Sequence, residues 1–405
     1  MRILVNDFGG YPFPAQLSGE LARRGHDVTH SWCGSLVDTP ASARSIVETT
    51  HDERTPEFVP LDLGEPLDKY RYVKRYRQER AYGRLSAALI EDRRPDVVLA
   101  ANVPLDAQRR MLRTSRRRGV PFVFWLQDLI GPATENLLAG RLPVTGRAVG
   151  RYYTRVEARL LRQSAAVVPI TDAFRPYLER CGVDGHRITT VENWAPLPQL
   201  PVRPKDNPWS AEHGLVDQFV FAYTGALGMK QDPDLLLDLA EHFGGQAGVR
   251  IVVHSGGPEL EHLRARASTR GLENLNLHGF APWRQLPDVL GTADVALASI
   301  HHDAGRYSVP SKVLSYLCAG RPLLISVPAA NLSATIVRRA QAGIAVEPGD
   351  TRAFLAAADR LFDEPDERVR MGANARRYAE AVFAIEPIAD RFEEILVRAV
   401  TGAEP

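Results

Sequence analysis

Two short segments in the second half of the chain combine residue types that are suited to binding phosphate. The first, TGALGMKQD at 224–232, follows an apolar run and contains Gly225, Gly228 and Lys230. Glycines let a backbone approach an anion closely, and a lysine cation can neutralise a diphosphate. A tight strand-to-helix connection has the same pattern, so this segment alone leaves both interpretations open.

The second segment, SVPSKVLSYLCAGRP at 308–322, predicts a helix with Pro310 near its first position and Gly320 just past its end. The N-terminus of a helix carries free N–H groups and a partial positive charge, which favour phosphate. Ser311 and Lys312 add a hydroxyl and a cation to the first turn. An ordinary capped helix is the alternative, and the presence of both segments in one half favours the phosphate interpretation.

The elements that must position these residues are alternating strands and helices. Apolar, strand-like runs occur in the first half at 2–5, 27–31, 96–100, 121–126, 165–170 and 188–191, and in the second at 219–224, 249–254, 276–279, 294–299, 322–325 and 344–346. Helical patterns lie between them. This alternation predicts an α/β protein with two doubly wound, Rossmann-like parallel sheets.

A stretch with five prolines, APLPQLPVRPKDNP at 195–208, separates the two halves. We therefore expect an N-terminal domain at 1–195, an extended linker at 196–215 and a C-terminal domain at 216–384. An amphipathic helix at 385–405 follows, and its return to the N-terminal domain is one option. A cleft between two such domains is a preferred site for small ligands.

Composition limits the classes of partner. The chain has 405 residues, 44% of them hydrophobic and 24% charged, with a net charge of +1, so nucleic-acid binding is not expected. Charge is uneven, however, because the run KYRYVKRYRQERAYGR at 69–84 holds seven basic residues and one acid. This run has two interpretations. It is either a surface of the N-terminal domain that binds an anionic membrane or a lipid-diphosphate acceptor, or it is a solvated helix face.

The location of the protein is predicted from its cysteines and its apolar runs. Its three cysteines are too far apart to suggest a disulfide framework or a zinc site. The N-terminus lacks the pattern of a signal peptide, and no apolar run is long enough to span a membrane. We expect a cytoplasmic protein. The basic run at 69–84 adds a second option, peripheral contact with the inner face of the membrane.

Together, TGALGMKQD and VPSKVLSYLCAGRP resemble the retaining glycosyltransferases of family 4, which have the GT-B fold. The resemblance is closest to the branch of fucosamine and colanic-acid-type polysaccharide transferases. Four other segments are similar to the same enzymes, in the same order: FPAQLSGELARRGHDV, FWLQDLIGP, TVENWAP and NLHGFAPWRQLPDVLGTADVALA. The resemblance implies a GT-B fold, with two Rossmann-like domains that face each other across a cleft.

The resemblance also implies a set of site residues. Those expected at the donor are Gly225, Ala226 and Gly228 beside the phosphates, Ser308, Ser311 and Lys312 at the phosphate-facing helix, Ser315 near the ribose, and Phe280 and Ala281 at the base. Those expected near the acceptor are Phe8, Gly9, Gly10 and Asn102. Lys230, which stabilises the leaving diphosphate, and Asp128, which orients a sugar hydroxyl or accepts a proton, are the expected catalytic residues.

Two departures from the family pattern concern the nucleoside and the transferred sugar. Many members carry two glutamates, separated by seven residues, at the positions where this chain has Tyr307 and Ser315, so no carboxylate is available there to bind the ribose. The common His-Asp pair is Gln127-Asp128 here, as it is in some members of the polysaccharide branch. Ser315 has only a hydroxyl with which to replace a carboxylate.

The function implied is transfer of a hexose or aminohexose from a nucleoside-diphosphate sugar, with retention and without metal or another cofactor. Asp232-Pro233-Asp234 matches a metal-binding Asp-x-Asp pattern, but it is better explained by Asp232 as a helix cap before a proline. Two other functions remain open. One is a nucleotide-sugar 2-epimerase of similar fold, and the other is a catalytically silent protein that binds a nucleotide sugar.

Overall fold

The computed structural model describes residues 1–36, 54–68, 71–141, 145–228 and 230–402, except for the side chains of 139–141. The chain divides into two compact units. Unit 1 comprises Met1–Asn193 and Ile385–Pro405, and unit 2 comprises Trp194–Ala384.

Unit 1 is built on a parallel six-stranded sheet with the order β3-β2-β1-β4-β5-β6. The strands are β1 (Arg2–Asp7), β2 (Asp27–Cys33), β3 (Glu57–Leu61), β4 (Val97–Ala101), β5 (Phe122–Leu126) and β6 (Ala166–Pro169). The helices among residues 1–193 are α1 (Pro12–Arg23), α2 (Tyr72–Arg93), α3 (Leu105–Arg118), α4 (Ile130–Arg141), α5 (Thr145–Gln163) and α6 (Arg175–Arg180). Strands β4 and β5 are buried along their whole length, as expected for a sheet that is covered on both faces.

Unit 2 has a second parallel six-stranded sheet, in the order β12-β11-β10-β7-β8-β9. Its strands are β7 (Phe219–Thr224), β8 (Val249–His254), β9 (Leu275–His278), β10 (Val295–Ser299), β11 (Leu323–Ser326) and β12 (Gly343–Val346). Its helices are α7 (Pro208–Glu212), α8 (Asp234–His242), α9 (Pro258–Arg270), α10 (Leu286–Thr292), α11 (Lys312–Cys318), α12 (Leu332–Ala340), α13 (Thr351–Asp363) and α14 (Pro365–Val382).

The two sheets have the same topology. Each starts at a central strand, adds two strands on one side, and then crosses over to add three on the other. The order therefore reverses between β1 and β4 in unit 1 and between β7 and β10 in unit 2. This is the doubly wound Rossmann order, and it confirms the predicted fold class. Ligands of such sheets bind outside the carboxyl ends of the strands at the point of reversal.

Two strand predictions for unit 1 were wrong. Strand β3, EFVPL, was missed because Pro60 argues against a central strand, but β3 lies at the sheet edge, where proline is tolerated. Residues 188–191 were expected to form a strand, but only Ile188 forms a single parallel bridge, to Val167.

The proline-rich segment is not extended throughout. Asn207 caps α7 through a capping box with Ser210, which lets a short helix form directly after the prolines. Trp209 of this helix and Leu215 after it are buried in an apolar cluster with Val220 and Val252 of the unit 2 sheet.

The C-terminal helix α15 (Ile385–Thr401) belongs to unit 1. Arg24 at the end of α1 bonds to Asp390 at 2.6 Å and to Glu393 at 2.8 Å. Phe392 is fully buried against Trp125 of β5, with ring centroids 4.6 Å apart. Among the described helices, none combines the length and apolarity needed to cross a membrane.

Candidate functional site

In unit 2, the structure brings Lys312 against the glycine turn that follows β7. Gly225 has φ of +114°, a conformation that favours glycine, and a Cβ atom there would lie 3.2 Å from Lys312 Cε. The ammonium of Lys312 donates to the hydroxyl of Tyr223 and lies 3.7 Å from the centroid of its ring. The two segments predicted to bind phosphate therefore meet at the switch point of this sheet.

The charge of Lys312 depends on its surroundings. Burial lowers the pKa of Lys312 to about 7, because removal from water disfavours the ammonium. An anion that contacts the ammonium raises the pKa again, so a bound diphosphate would stabilise the charged form. The geometry suits a cation that becomes fully charged when phosphate is present.

Two tyrosines that the sequence did not single out hold this turn in place. Tyr223 donates its hydroxyl to the carbonyl of Ala226 at 2.9 Å. Tyr316 of α11 is fully buried; its hydroxyl accepts from the N–H of Thr224 at 2.9 Å and donates to the carbonyl of Leu297 at 3.0 Å. Burial raises the pKa of Tyr316 to about 12, so the phenol stays protonated. Tyr316 thus ties α11 to β7 and β10 on both sides of the switch point.

The loop that carries Lys230 is braced through its backbone. The N–H of Gly228 donates to Gln231 Oε1 at 2.9 Å, and the carbonyl of Lys230 accepts from the N–H of His301 at 2.8 Å. The side chain of Lys230 is exposed, and Met229 lies outside the described residues. Lys230 therefore has a fixed backbone and a side chain at the surface of unit 2.

The start of α11 differs from the prediction. The helix begins at Lys312, with Ser311 as its N-cap, so Pro310 lies before the cap and not at the first helical position. Ser311 is exposed and forms no side-chain capping bond, whereas Ser308 is buried and donates its hydroxyl to Ala304 O at 3.3 Å. Gly320, with φ of +64°, follows the C-cap as predicted.

The expected ribose and base residues lie on separate elements of unit 2. Ser315 lies on α11 and is partly buried. Phe280 follows β9 and is 59% exposed; its ring lies over Gly256, where a Cβ would meet it at 2.6 Å. Ala281 packs against the apolar cluster that contains Trp209.

Two histidines stack on each other just before the segment that carries Phe280. The rings of His254 and His278, at the ends of β8 and β9, are nearly parallel with centroids 4.9 Å apart. Burial, opposed by a hydrogen bond to the carbonyl of Gly279, lowers the pKa of His254 to about 4. The ring of His254 is therefore neutral near pH 7, and the stacked pair joins the ends of β8 and β9 just before Phe280.

In unit 1, a buried aspartate that the sequence did not single out organises the glycine loop after β1. Asp7 accepts from the N–H of Tyr11 at 2.5 Å, from the N–H of Gly9 at 3.3 Å and from the Asn102 amide at 3.4 Å. Asn102 directly follows β4, so these contacts bridge the switch point of the unit 1 sheet. Burial raises the pKa of Asp7 to about 7, although its hydrogen-bond donors oppose the shift.

The other residues expected near the acceptor lie in the same turn. Gly10 has φ of +63°, which favours glycine, and a Cβ at Gly9 would lie 2.1 Å from the ring of Tyr11, which would have to move. The side chain of Phe8 is buried edge-on against Tyr82, with centroids 4.9 Å apart. Phe8 therefore supports the turn from within unit 1.

The Gln127-Asp128 segment follows β5 and leads into a helix start that Glu157 holds. Gln127 and Asn193 exchange side-chain hydrogen bonds at 3.2 and 2.5 Å, which joins the two family-like segments FWLQDLIGP and TVENWAP. Asp128 is partly buried at the carboxyl end of the strand. Glu157 accepts from the N–H of Ile130 at 2.9 Å and of Gly131 at 3.2 Å, and so fixes the start of the next helix.

The Asp-x-Asp segment of unit 2 is engaged in local structure. Asp232 accepts from the N–H of Asp234 at 3.2 Å at the start of α8, and the carboxylate of Asp234 pairs with Arg266. In the part of the chain that the structure describes, no group of three His, Cys, Asp or Glu residues is arranged to hold a metal ion.

Comparison with known families assigns a glycosyl transferase domain to each unit. A model of the glycosyl transferase 4-like domain matches residues 9–194, and a model of glycosyl transferases group 1 matches residues 206–378. The protein is therefore built from two glycosyl transferase domains. These matches confirm the coarse resemblance, to family 4-like and group 1 domains with a GT-B fold.

Individual relatives of this glycosyl transferase chain are distant. Alpha-D-kanosaminyltransferase of Streptomyces kanamyceticus is 22% identical over 59% of this chain, and the matched region spans 62% of that enzyme. Two solved structures have the same fold over nearly their full length. HepE of Anabaena, in complex with UDP and glucose, has a TM-score of 0.73 and 15% identity over 98% of this chain and 99% of its own. Sucrose-phosphate synthase of Thermosynechococcus elongatus has a TM-score of 0.76 and 14% identity over 100% of both chains.

Proposed function

We propose that the protein is a retaining glycosyltransferase that moves a hexose or aminohexose from a nucleoside-diphosphate sugar to a hydroxyl acceptor. The observation that carries the proposal is the meeting of Gly225 and Lys312 at the switch point of the group 1 domain. A glycine turn and a partly buried lysine at that position suit a diphosphate. HepE, which shares the fold, was crystallised with UDP and glucose.

In this proposal, the acceptor attacks from the face that the nucleotide leaves, so no protein nucleophile is needed. The chain contributes charge stabilisation: Lys312 and Lys230 neutralise the negative charge that grows on the departing diphosphate. Gly225, Ala226 and Gly228 contribute close backbone contact, with Ser308 and Ser311 at the start of α11. No metal is assigned to this step, because two lysines supply the positive charge.

The remaining donor contacts are proposed from the positions of the exposed groups. Phe280 offers a flat apolar surface to the base, with Ala281 beside it. Ser315 takes the place of the ribose-binding glutamate, so the ribose is held by a hydroxyl and not by a carboxylate. We expect weaker discrimination among nucleosides than a bidentate carboxylate would give.

Unit 1 is proposed to bind the acceptor. Asp7 and Asn102 hold the loop of Phe8, Gly9 and Gly10 in a fixed turn, which presents backbone groups at the carboxyl edge of the sheet. Asp128, at the same edge, orients a sugar hydroxyl or accepts the acceptor proton late in the reaction.

Incubation with a panel of nucleotide sugars tests the proposal. A transferase releases nucleoside diphosphate, and does so faster when an acceptor is present. NMR of the product should show the anomeric configuration of the donor. An isomerised donor would indicate a 2-epimerase, and binding without release would indicate a silent partner protein; either result contradicts transfer.

A further inference from the structure

Helices α2 and α3 of unit 1 pack unusually close together at one point. A Cβ atom at Gly83 of α2 would lie 2.7 Å from Ala107 Cα of α3, so only glycine allows this approach. The side chains that flank the contact on the outer surface are therefore brought together. They are arginines from both helices.

Five of these arginines line one small cavity, here called the arginine pocket: Arg80, Arg84, Arg109, Arg110 and Arg113. Asp106 is the one acid that lines it. Its carboxylate is buried and already engaged, because it accepts from the hydroxyl of Tyr153 at 3.0 Å and lies 3.4 Å from Arg109. One acid thus faces five cations.

Within the described residues, the other arginines of the pocket have no acidic partner. Arg80 lies over the ring of Tyr76, 5.5 Å from its centroid. In the described parts of the chain, Arg84, Arg110 and Arg113 form no ion pair. The nearest acid on α2, Glu79, bonds to Arg75 at 2.7 Å. Converging cations repel one another, and a bound anion removes that repulsion.

We propose that the arginine pocket binds a phosphate or diphosphate group. Guanidinium groups bind phosphate oxygens through paired, charge-assisted hydrogen bonds, and several arginines on rigid helices form such a site without reorganisation. The site is independent of the proposed donor site, whose lysines belong to unit 2. Its ligand is a phosphate on a lipid head group or on a soluble molecule.

The surface near the pocket is compatible with a lipid source. Tyr72 and Val73, at the start of α2, are 60% and 68% exposed, and Tyr152 of α5, whose hydroxyl bonds to Arg109, is 44% exposed. Tyrosine and basic residues together are typical of surfaces that rest on a membrane interface. Residues 69 and 70 of the basic run lie outside the described residues.

Titration with inorganic pyrophosphate tests the pocket directly. The full chain is used in a Lys312→Met, Lys230→Ala background, which removes both lysines proposed for the donor site of unit 2, and binding is measured by calorimetry at low salt. Replacing Arg84→Gln and Arg110→Gln should weaken binding at least about 10-fold, since hydrogen bonds to charged groups are individually strong. Replacing Arg116→Gln and Arg118→Gln, exposed in the last turn of α3, makes the same change in net charge and should alter affinity less than about two-fold.

Equal affinity in the pocket variant and its parent, or an equal loss in both double variants, would overturn the proposal. Circular dichroism establishes that each variant is folded.

Flotation with phosphatidylcholine vesicles, with and without phosphatidylglycerol, then identifies the source of the bound phosphate. Flotation that needs phosphatidylglycerol and is lost only in the pocket variant assigns the phosphate to a lipid. Pyrophosphate binding without flotation assigns it to a soluble molecule. Flotation of every variant alike, without pyrophosphate binding, would mean a diffuse basic surface and would overturn the pocket.

Discussion

The two sheets share one strand order, but their switch points carry ionisable groups of opposite type, a lysine in unit 2 and an aspartate in unit 1. In unit 2 the edge is cationic, with Lys312 against the Gly225 turn and Lys230 in the following loop. In unit 1 the corresponding edge is acidic, with Asp7 beneath the glycine loop and Asp128 after β5. The comparison separates two contributions: topology determines where a ligand binds, and the side chains at the switch point determine what kind of group it is.

The largest effect should come from the cationic edge. We expect Lys312→Met to lower the rate of transfer by about 10²–10³-fold, since it removes a preorganised charge from the leaving diphosphate. Steady-state kinetics with saturating acceptor measure this. Arg352→Met, at an exposed position in α13, is the matched loss of one cation and should leave turnover unchanged. Similar losses in both variants would mean that net charge, and not the position of Lys312, matters.

Lys230→Ala should lower transfer by about 10²-fold or more, for the same reason. If Lys230 acts on the leaving group, kcat and kcat/KM fall together, whereas a role in donor binding alone raises KM. Turnover close to that of the unaltered protein would exclude Lys230 from the mechanism. Lys312 would then be the lysine that stabilises the leaving diphosphate.

The acidic edge should show itself in the pH dependence of stability. Asp7 keeps its proton up to a pKa of about 7 in the folded protein, whereas an unfolded aspartate loses its proton near pH 4. The contribution of protonated Asp7 to the free energy of unfolding is therefore complete below pH 4 and is lost as the pH rises to about 7. Relative to Asp7→Asn, the free energy of unfolding should fall by about 1.4 kcal/mol per pH unit in that window. Burial also raises the pKa of Glu157 to about 7. Glu157 is present in both proteins, so its contribution to the pH dependence cancels in the comparison.

Urea midpoints between pH 5 and 8, followed by pulse proteolysis, measure the difference between the two proteins. Parallel profiles would show that Asp7 is already ionised well below pH 7 in the folded protein. The edge would then carry full negative charge at all physiological pH values.

The smallest effect concerns the turn itself. Gly225→Ala places a side chain at φ of +114° and 3.2 Å from Lys312 Cε, which should cost about 1–3 kcal/mol of stability. Gly245→Ala is the control, because no atom lies within 4 Å of its added Cβ, and we expect a change below about 0.5 kcal/mol. Thermal unfolding of the two variants compares them; equal midpoints would show that the turn relaxes without cost.

The fold could be predicted because buried parallel strands appear as continuous apolar runs between helical patterns. Lys312 was found because it lies in a segment with family resemblance. The contact of Lys312 with Tyr223 could not be predicted from the sequence, because the two residues are 89 positions apart and meet only through the crossover of the sheet. Tyr316 looks like an ordinary core residue of a helix, and only its hydrogen bonds to Thr224 and Leu297 show its role. Asp7 was missed because the turn was attributed, from the sequence, to the neighbouring glycines. Only the structure shows that the buried carboxylate of Asp7 holds this turn.

Helix α15 gives the molecule a particular order of assembly. Phe392 covers Trp125, and Asp390 and Glu393 pair with Arg24, so unit 1 is completed by residues that are synthesised after all of unit 2. A ribosome that adds 5–20 residues per second needs roughly 10–40 s to make the intervening chain. Throughout that interval, the nascent N-terminal sheet exposes the apolar face around Trp125, and unit 2 is free to fold first. The domain made first is therefore the one finished last.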